Sequence, residues 1–288
     1  MSVPLQREHA VWDEFALLDS GNLEKCERFG DVVLVRPEPQ ALWQKGDVEN
    51  NWKTASATYT RTGREGEWDV IRPLPPSWNV RWEDLTFRIR PTSFKHTGLF
   101  PEQASNWKYV RSIVKPGMKV LNLFGYTGGA TLAAASAGAD EVVHVDGSRP
   151  AVTWARENIE LSGLEKRTVR FITDDVQKFT TREVRRGNMY DVIIMDPPAF
   201  GRGADGEVWK FEEHLPGLLS TCAAMLNKEH GHLIVNAYSL GYPALAIENL
   251  IRTSVPFATN FAAVELTLKE TSTRGFELPT GIVVRASW

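Results

Sequence analysis

Two hydrophobic rhythms divide the chain. Up to about residue 91, apolar positions alternate or run for a few residues and then stop at proline, as in "DVVLVRP" (31–37), "GEWDVIRP" (66–73) and "LTFRIRP" (85–91). Proline cannot donate to a sheet ladder, so these runs read as short strands broken at their ends. "AVWDEFALL" (10–18) reads as a short helix ahead of them. Beyond residue 92 the pattern becomes strand, helix, strand, helix. "MKVLNLF" (118–124) is an apolar strand, and "GATLAAASAGA" (129–139) is a helix of small residues ending at Gly138. "EVVHVD" (141–146) is the next strand. "RPAVTWARENIELSG" (149–163) is an amphipathic helix with Pro150 in its first turn and Gly163 past its end, as helix-end chemistry favours. "TVRFIT" (168–173), "YDVIIMD" (190–196) and "GHLIVNAYS" (231–239) are further strands with helical segments between them. Near-continuous apolar strands alternating with helices imply a parallel sheet covered on both faces. "AAVELTLKE" (262–270) and "GIVVRASW" (281–288) read as a last antiparallel pair at the sheet edge. The expected organisation is a small β-rich domain over 1–91, available for substrate binding, and an α/β domain over 92–288.

Composition narrows the function classes. A chain of 288 residues with 42% hydrophobic content can bury a main core and a smaller one. A net charge of -3 and a pI of about 6.1 exclude attachment to nucleic acid by overall charge alone, though not through a local basic face. Cys26 and Cys222 are far apart and lack metal-type spacing, and the six histidines show none either, so neither a disulfide framework nor a metal is expected. The N-terminus has no signal-peptide pattern and no apolar run reaches the ~18 residues that span a bilayer, so a reducing cytoplasm is the expected compartment. Of the 10 tryptophans, Trp12, Trp43, Trp52, Trp68, Trp78 and Trp82 precede residue 92. They read as rings filling a thin core, with a base-stacking surface as the rival reading.

The chemistry begins at "VLNLFGYTGGAT" (120–131), where a strand breaks into a glycine loop and a helix follows. Such a loop lets a ligand approach the backbone closely. It is not a P-loop, because no lysine follows Gly128 or Gly129. It is not a dinucleotide fingerprint either, because Thr127 stands at the second glycine position. The next strand ends in Asp146, suited to a ribose diol, and the third is followed by Asp174 and Asp175, at the depth of an adenine amino group. The fourth ends in "DPPAF" (196–200). Each feature alone has a plain structural reading: a tight turn, a helix cap, a strand stop. Together, at successive strand ends, they describe a site for a nucleoside without a pyrophosphate, which is S-adenosyl-L-methionine.

At this point the chain resembles the class I S-adenosylmethionine-dependent methyltransferases over residues ~92–288. Within them it resembles the bacterial 23S ribosomal RNA methyltransferases that modify cytosine C5 or guanine N7. The resemblance rests on "KHTGLFPEQASN" (95–106), "LNLFGYTGGAT" (121–131), "VDGS" (145–148), "DDV" (174–176) and "DPPAF" (196–200). It implies a Rossmann-like, seven-stranded, mostly parallel sheet. It also implies that Phe100 and Gln103 cover the cofactor, and that Phe124, Gly125, Tyr126 and Thr127 hold its amino-acid end. Asp146 and Ser148 would take the ribose, and Asp175 with Asp174 the adenine. The extra N-terminal RNA-binding domain of those enzymes is not recognisable here, and "GRGADGEVWKF" (201–211) resembles a bacterial set of unassigned substrate.

For methyl transfer, Asp196 and the backbone carbonyls at Pro197 can orient an N–H so that its lone pair faces the methyl, while Phe200 stacks on a planar ring. Lys95, His96 and Tyr238 are the other candidates for substrate contact; "TTREVRRG" (180–187) and "RTGRE" (61–65) read first as solvated faces, with phosphate contact as the rival reading. Cytosine C5 chemistry needs a cysteine thiolate, expected in the related family after the fifth strand. This chain has "NAYSLGY" (236–242) there, and Cys222 in "LLSTCAAML" reads as a buried core residue. The leading expectation is therefore methylation of a base nitrogen in ribosomal RNA, with ribosomal RNA as partner and no membrane or metal. The alternatives are a protein or small-molecule methyltransferase and, more remotely, a non-catalytic nucleoside-cofactor-binding module or a dinucleotide oxidoreductase.

Overall fold

The computed structural model describes residues 6–46, 49–62, 65–202, 207–238 and 241–288. Its N-terminal part is all β: β1 (Gln6–His9), β2 (Phe15–Gly21), β3 (Glu24–Phe29), β4 (Val32–Pro37), β5 (Ala57–Thr62), β6 (Glu65–Val70), β7 (Trp78–Trp82) and β8 (Leu85–Ile89). The alternating part follows with α1 (Ala104–Ile113), β9 (Lys119–Leu123), α2 (Gly129–Ser136), β10 (Glu141–Asp146), α3 (Arg149–Leu161), β11 (Val169–Thr173), α4 (Val176–Arg186) and β12 (Val192–Met195). It ends with β13 (Phe200–Arg202), β14 (Val208–Lys210), α5 (Phe211–Ala223), β15 (His232–Ala237), α6 (Ala244–Ser254), β16 (Asn260–Lys269) and β17 (Glu277–Ser287). Parts of the 61–65, 201–211 and 231–239 segments, namely 63–64, 203–206 and 239, lie outside the described residues.

The main sheet has eight strands in the order β1-β16-β17-β15-β12-β9-β10-β11. β9, β10, β11, β12 and β15 run parallel, and β17 lies antiparallel to β15. The Rossmann-like arrangement expected from the alternating pattern is thus present, with one strand more than expected. β1 occupies the edge beside β16, so the last two strands lie inside the sheet rather than at its rim. A tetrapeptide of mostly exposed polar residues carries no apolar pattern, which is why the sequence gives no sign of it. Leu121, Leu123, Val143, Val145, Ile193, Met195, Leu233 and Val235 form the heart of the core, packed with Phe179 of α4, Leu215 and Leu219 of α5 and Ile247 and Ile251 of α6.

A correction concerns residues 10–18. The expected helix is absent; Phe15–Gly21 is β2 and pairs antiparallel with β3. Phe15 and Leu17 are buried while Ala16 and Leu18 are less so, a period of two that cross-strand pairing satisfies and a helix would not.

Two compact units emerge. The larger comprises 1–8, 106–266 and 281–288; the smaller comprises 9–105 with 267–280. The expectation from sequence divides the chain at 91/92, whereas contacts assign 92–105 and a C-terminal segment to the β-rich unit. That unit holds a five-stranded sheet, β2-β3-β4-β5-β6, and the β7-β8 ribbon. Its indole N–H groups are committed to its own fold: Trp12 donates to Pro101 O (3.0 Å), Trp43 to Ser20 O (3.1 Å), Trp52 to Asp19 (2.6 Å), Trp68 to Thr92 O (2.8 Å) and Trp78 to Phe29 O (2.9 Å). With Trp82 buried as well, the rings are packing elements rather than a stacking platform. Among the described residues no helix is long and apolar enough to cross a membrane.

Candidate active site

Strand register brings the candidate residues to one edge. Leu123 of β9 is level with Val145 of β10 and with Met195 of β12; Val145 is level with Ile172 of β11, and Met195 with Val235 of β15. All five strands point the same way, so the residues just beyond these positions, Phe124, Asp146, Asp174, Asp196 and Asn236, share the carboxyl edge of the sheet. The chain moves outward from β9 to β10 and β11, then returns to place β12 on the other side of β9. That reversal opens the crevice where open α/β sheets take their ligands.

The glycine loop is held down hard. Phe124 (φ 55) and Tyr126 (φ 49) adopt left-handed backbone conformations that are unfavourable for residues with side chains, and Gly128 (φ 93) does so without that cost. Gly125 donates to Val145 O at 3.0 Å, and Gly128 donates to Gly125 O at 2.9 Å. A Cβ at Gly125 would stand 2.5 Å from His144 Cε1, and one at Gly129 2.4 Å from the Trp107 ring. Below the loop, Asn122 Nδ2 donates to Thr131 Oγ1 (2.9 Å), which pairs with His144 Nδ1 at 2.8 Å. All three side chains are buried, and burial holds His144 down at about 3, so it is neutral.

Asp146 closes the loop. One carboxylate oxygen accepts from Tyr126 N (2.8 Å), the other from Ser148 N (2.7 Å). Burial raises its pKa, and these two N–H groups oppose that rise. Each oxygen keeps a second acceptor direction, which is what a ribose diol requires. The set therefore fits S-adenosylmethionine: a backbone cradle that a Cβ would fill, and beside it a doubly buttressed carboxylate suited to the ribose. Ser148 also caps α3 by accepting from Ala151 N at 3.4 Å. Asp174 N donates to Asp146 O at 3.1 Å, and its carboxylate pairs with Arg182 of α4. Asp175 caps α4, accepting from Lys178 N at 2.9 Å. Thr127 is buried, and its carbonyl accepts from Asn158 Nδ2 at 2.9 Å.

Beyond β12, Asp196 is half-buried, Pro197 buried and Phe200 54% exposed. Trp209 on β14 secures this turn: its Nε1 donates to Pro198 O at 2.7 Å, and its ring meets Phe124 edge-on at 4.9 Å. Phe211 N donates to Ala199 O at 3.1 Å. The sequence does not point to Trp209, because nothing local ties it to Pro198. Asn122, His144 and Asn236 were legible in principle, since each is a polar residue inside an apolar strand of a doubly covered sheet and must have a partner there. Tyr238 follows β15 and is half-buried.

Lys95, His96, Phe100 and Gln103 belong to the smaller unit. There, Arg36 Nη1 donates to Lys95 O (3.0 Å), the His96 and Phe100 rings are 5.2 Å apart, and Gln103 N donates to Phe100 O (3.0 Å). Burial lowers the pKa of Lys95, and burial with nearby Arg36 lowers that of His96 to about 3, so His96 brings no positive charge at neutral pH. In 180–187, Arg182 and Arg186 already face Asp174 and Glu183. Cys26 and Cys222 are fully buried, with burial raising both thiols to about 12. Among the described residues no cluster of metal-ligating side chains occurs.

An open, mostly parallel sheet whose order reverses beside a glycine loop and a buttressed strand-end carboxylate defines the class. The family model for S-adenosylmethionine-dependent methyltransferases matches residues 55–241. The chain belongs to that family, whose cofactor is S-adenosylmethionine. A crystal structure of the SAM-dependent methyltransferase from Agrobacterium tumefaciens superposes with a TM-score of 0.93 at 40% identity, covering 99% of this chain and 94% of that one. SMU.776, a methyltransferase by description and complexed with SAH, has the same fold (TM-score 0.74, 18% identity, 94% of this chain and 75% of that one). Among curated relatives, the ribosomal RNA large subunit methyltransferase I of Photobacterium profundum is 42% identical over 186 residues, 64% of this chain and 45% of the relative. The match thus spans less than half the length of that relative.

Proposed function

We propose that the chain transfers a methyl group from S-adenosylmethionine to a base nitrogen of ribosomal RNA in the cytoplasm, without a covalent enzyme–base intermediate. The observation that carries this reading is the turn from Asp196 to Phe200: a carboxylate and an exposed ring at the mouth of the crevice, in a protein whose two thiols are both buried. S-adenosylmethionine, once bound, supplies an electrophilic methyl for in-line displacement. The residues Phe124 to Thr127 are assigned to its amino-acid end, Asp146 and Ser148 to its ribose, and Asp175 with Asp174 to its adenine. Asp196 accepts the target's N–H and turns the nitrogen lone pair toward the reaction axis; the proton lost on transfer goes to that carboxylate. Phe200 holds the base by stacking. A covalent route at carbon needs a thiolate at the base, and burial denies it to both Cys26 and Cys222. The ribosomal substrate draws on the likeness to the ribosomal RNA large subunit methyltransferases I. The smaller unit is assigned to substrate contact through exposed side chains such as Arg61 and Phe94, its indoles being committed to its own fold.

The test uses cofactor with a labelled methyl, the purified protein and extract from a host lacking the gene, with Asp196→Ala as control. Label should enter RNA, vanish with nuclease and be absent with the variant, and nucleoside mass spectrometry should place it on a ring or exocyclic nitrogen. Label in protein or small molecules alone rejects RNA as the substrate.

A further inference from the structure

The Asp196–Pro198 turn has few backbone donors of its own. β12 is four residues long, and Pro197 and Pro198 remove two consecutive backbone donors. Two side chains donate to the turn's carbonyls, one at each end. At the far end Trp209 Nε1 holds Pro198 O (2.7 Å). At the near end Asn236 Nδ2 donates to Met195 O at 3.3 Å, the carbonyl of the peptide that leads into Asp196.

Asn236 does not stand alone. Its Oδ1 accepts from Asn106 Nδ2 at 2.8 Å. Asn106 Oδ1 in turn accepts from Arg285 Nη2 (2.8 Å) and Nε (3.3 Å). Arg285 is fixed by a two-pronged contact with Glu8, Nη1 to Oε1 and Nη2 to Oε2, both 2.8 Å, and by its position 4.4 Å over the Tyr109 ring. Asn106, Asn236 and Arg285 are all more than nine-tenths buried.

This line of bonds has one possible direction. A guanidinium only donates and a backbone carbonyl only accepts, so both amides between them must point oxygen toward Arg285 and N–H₂ toward Met195. Reversing either amide sets donor against donor or acceptor against acceptor in a buried place, at a cost comparable to an unmade hydrogen bond. We propose that Asn236 is a positioning residue for the Asp196–Pro198 turn and that Glu8, Arg285 and Asn106 act through it by fixing which end of its amide faces Met195. The proposal rests on the assignment of that turn to methyl transfer. It also gives β1, the unforeseen edge strand, a part in the site: it delivers Glu8.

The test is Asn106→Asp, which keeps the acceptor for Arg285 but has no proton for Asn236. The Asn236 amide must then rotate to donate to the introduced carboxylate, leaving its oxygen against Met195 O. The expected result is a kcat lowered at least tenfold, S-adenosylhomocysteine affinity within about threefold of wild type by calorimetry, and a cooperative melt. Asn236→Ala should lower kcat similarly, and the double variant should be no worse than Asn236→Ala, because both act through one bond. A readout independent of turnover is the Trp209 indole N–H resonance, assigned with Trp209→Phe: it should shift in Asn106→Asp, the change passing through Asn236 and the turn. An unmoved resonance, an unchanged kcat, or a kcat loss matched by equal loss of cofactor affinity overturns the positioning role. A shifted resonance in a protein whose wild type methylates nothing would overturn the proposed function while leaving the positioning of the turn intact.

Discussion

Gly125 shows how little room a single residue can have. A methyl there would meet the His144 ring at 2.5 Å, and His144 is buried and bonded to Thr131, so it cannot retreat. Overpacking of this kind costs about 1–3 kcal/mol, and here the cheapest relief is to lift the loop that we assign to the cofactor. Gly125→Ala should therefore weaken S-adenosylhomocysteine binding by about tenfold or more, since a tenfold change corresponds to about 1.4 kcal/mol. Titration calorimetry checks it; an affinity within twofold of wild type would show that the loop does not need its present height. The glycines were visible in the sequence as a loop signal, but the reason for Gly125 was not. It lies in a histidine on the next strand, placed beneath it by the β9–β10 register.

Among elements, β10 carries a titration that the stability of the fold should report. His144 is held at about 3 by burial, against an ordinary value of 6.5. The unfolded chain binds this proton more readily than the folded one, so the stabilisation is complete above pH 6.5 and is lost as pH falls from there toward 3. At pH 5 the single group accounts for about 2 kcal/mol of lost stability relative to neutral pH. Denaturant unfolding of wild type and His144→Asn between pH 5 and 7 is the measurement: the variant, whatever its absolute stability, should lose about 2 kcal/mol less between pH 7 and pH 5 and so show a shallower slope. Equal slopes would mean that the histidine is hydrated in the native protein. Most elements were legible from apolar spacing, because a parallel strand buried on both faces and an amphipathic helix each write a distinct period. β1 and β2 were not. One is too short and polar to carry a pattern, and the other took its conformation from pairing with β3 across a turn.

For the molecule as a whole, the two cysteines offer a probe of integrity and of mechanism together, since Cys26 lies in the smaller compact unit and Cys222 in the larger. Both are fully buried and burial raises both thiols to about 12, so neither should react with a thiol reagent until its unit opens. A native sample should resist modification, a denatured one should yield two thiols, and a Cys26→Ala/Cys222→Ala protein should keep its methyl transfer within about threefold. Loss of transfer in a well-folded double variant would restore the covalent carbon chemistry. The amino-acid sequence by itself determined the alternation of strands and helices beyond residue 117, the glycine loop and the acids at the strand ends, because each is written in neighbouring residues. Only the tertiary structure decided which of those acids are also helix caps or ion-pair partners, that residues 267–280 belong with the β-rich unit, and that Glu8, Asn106, Asn236 and Arg285 meet. Those outcomes depend on pairings between distant parts of the chain, and only sheet order and register bring such residues within hydrogen-bond reach.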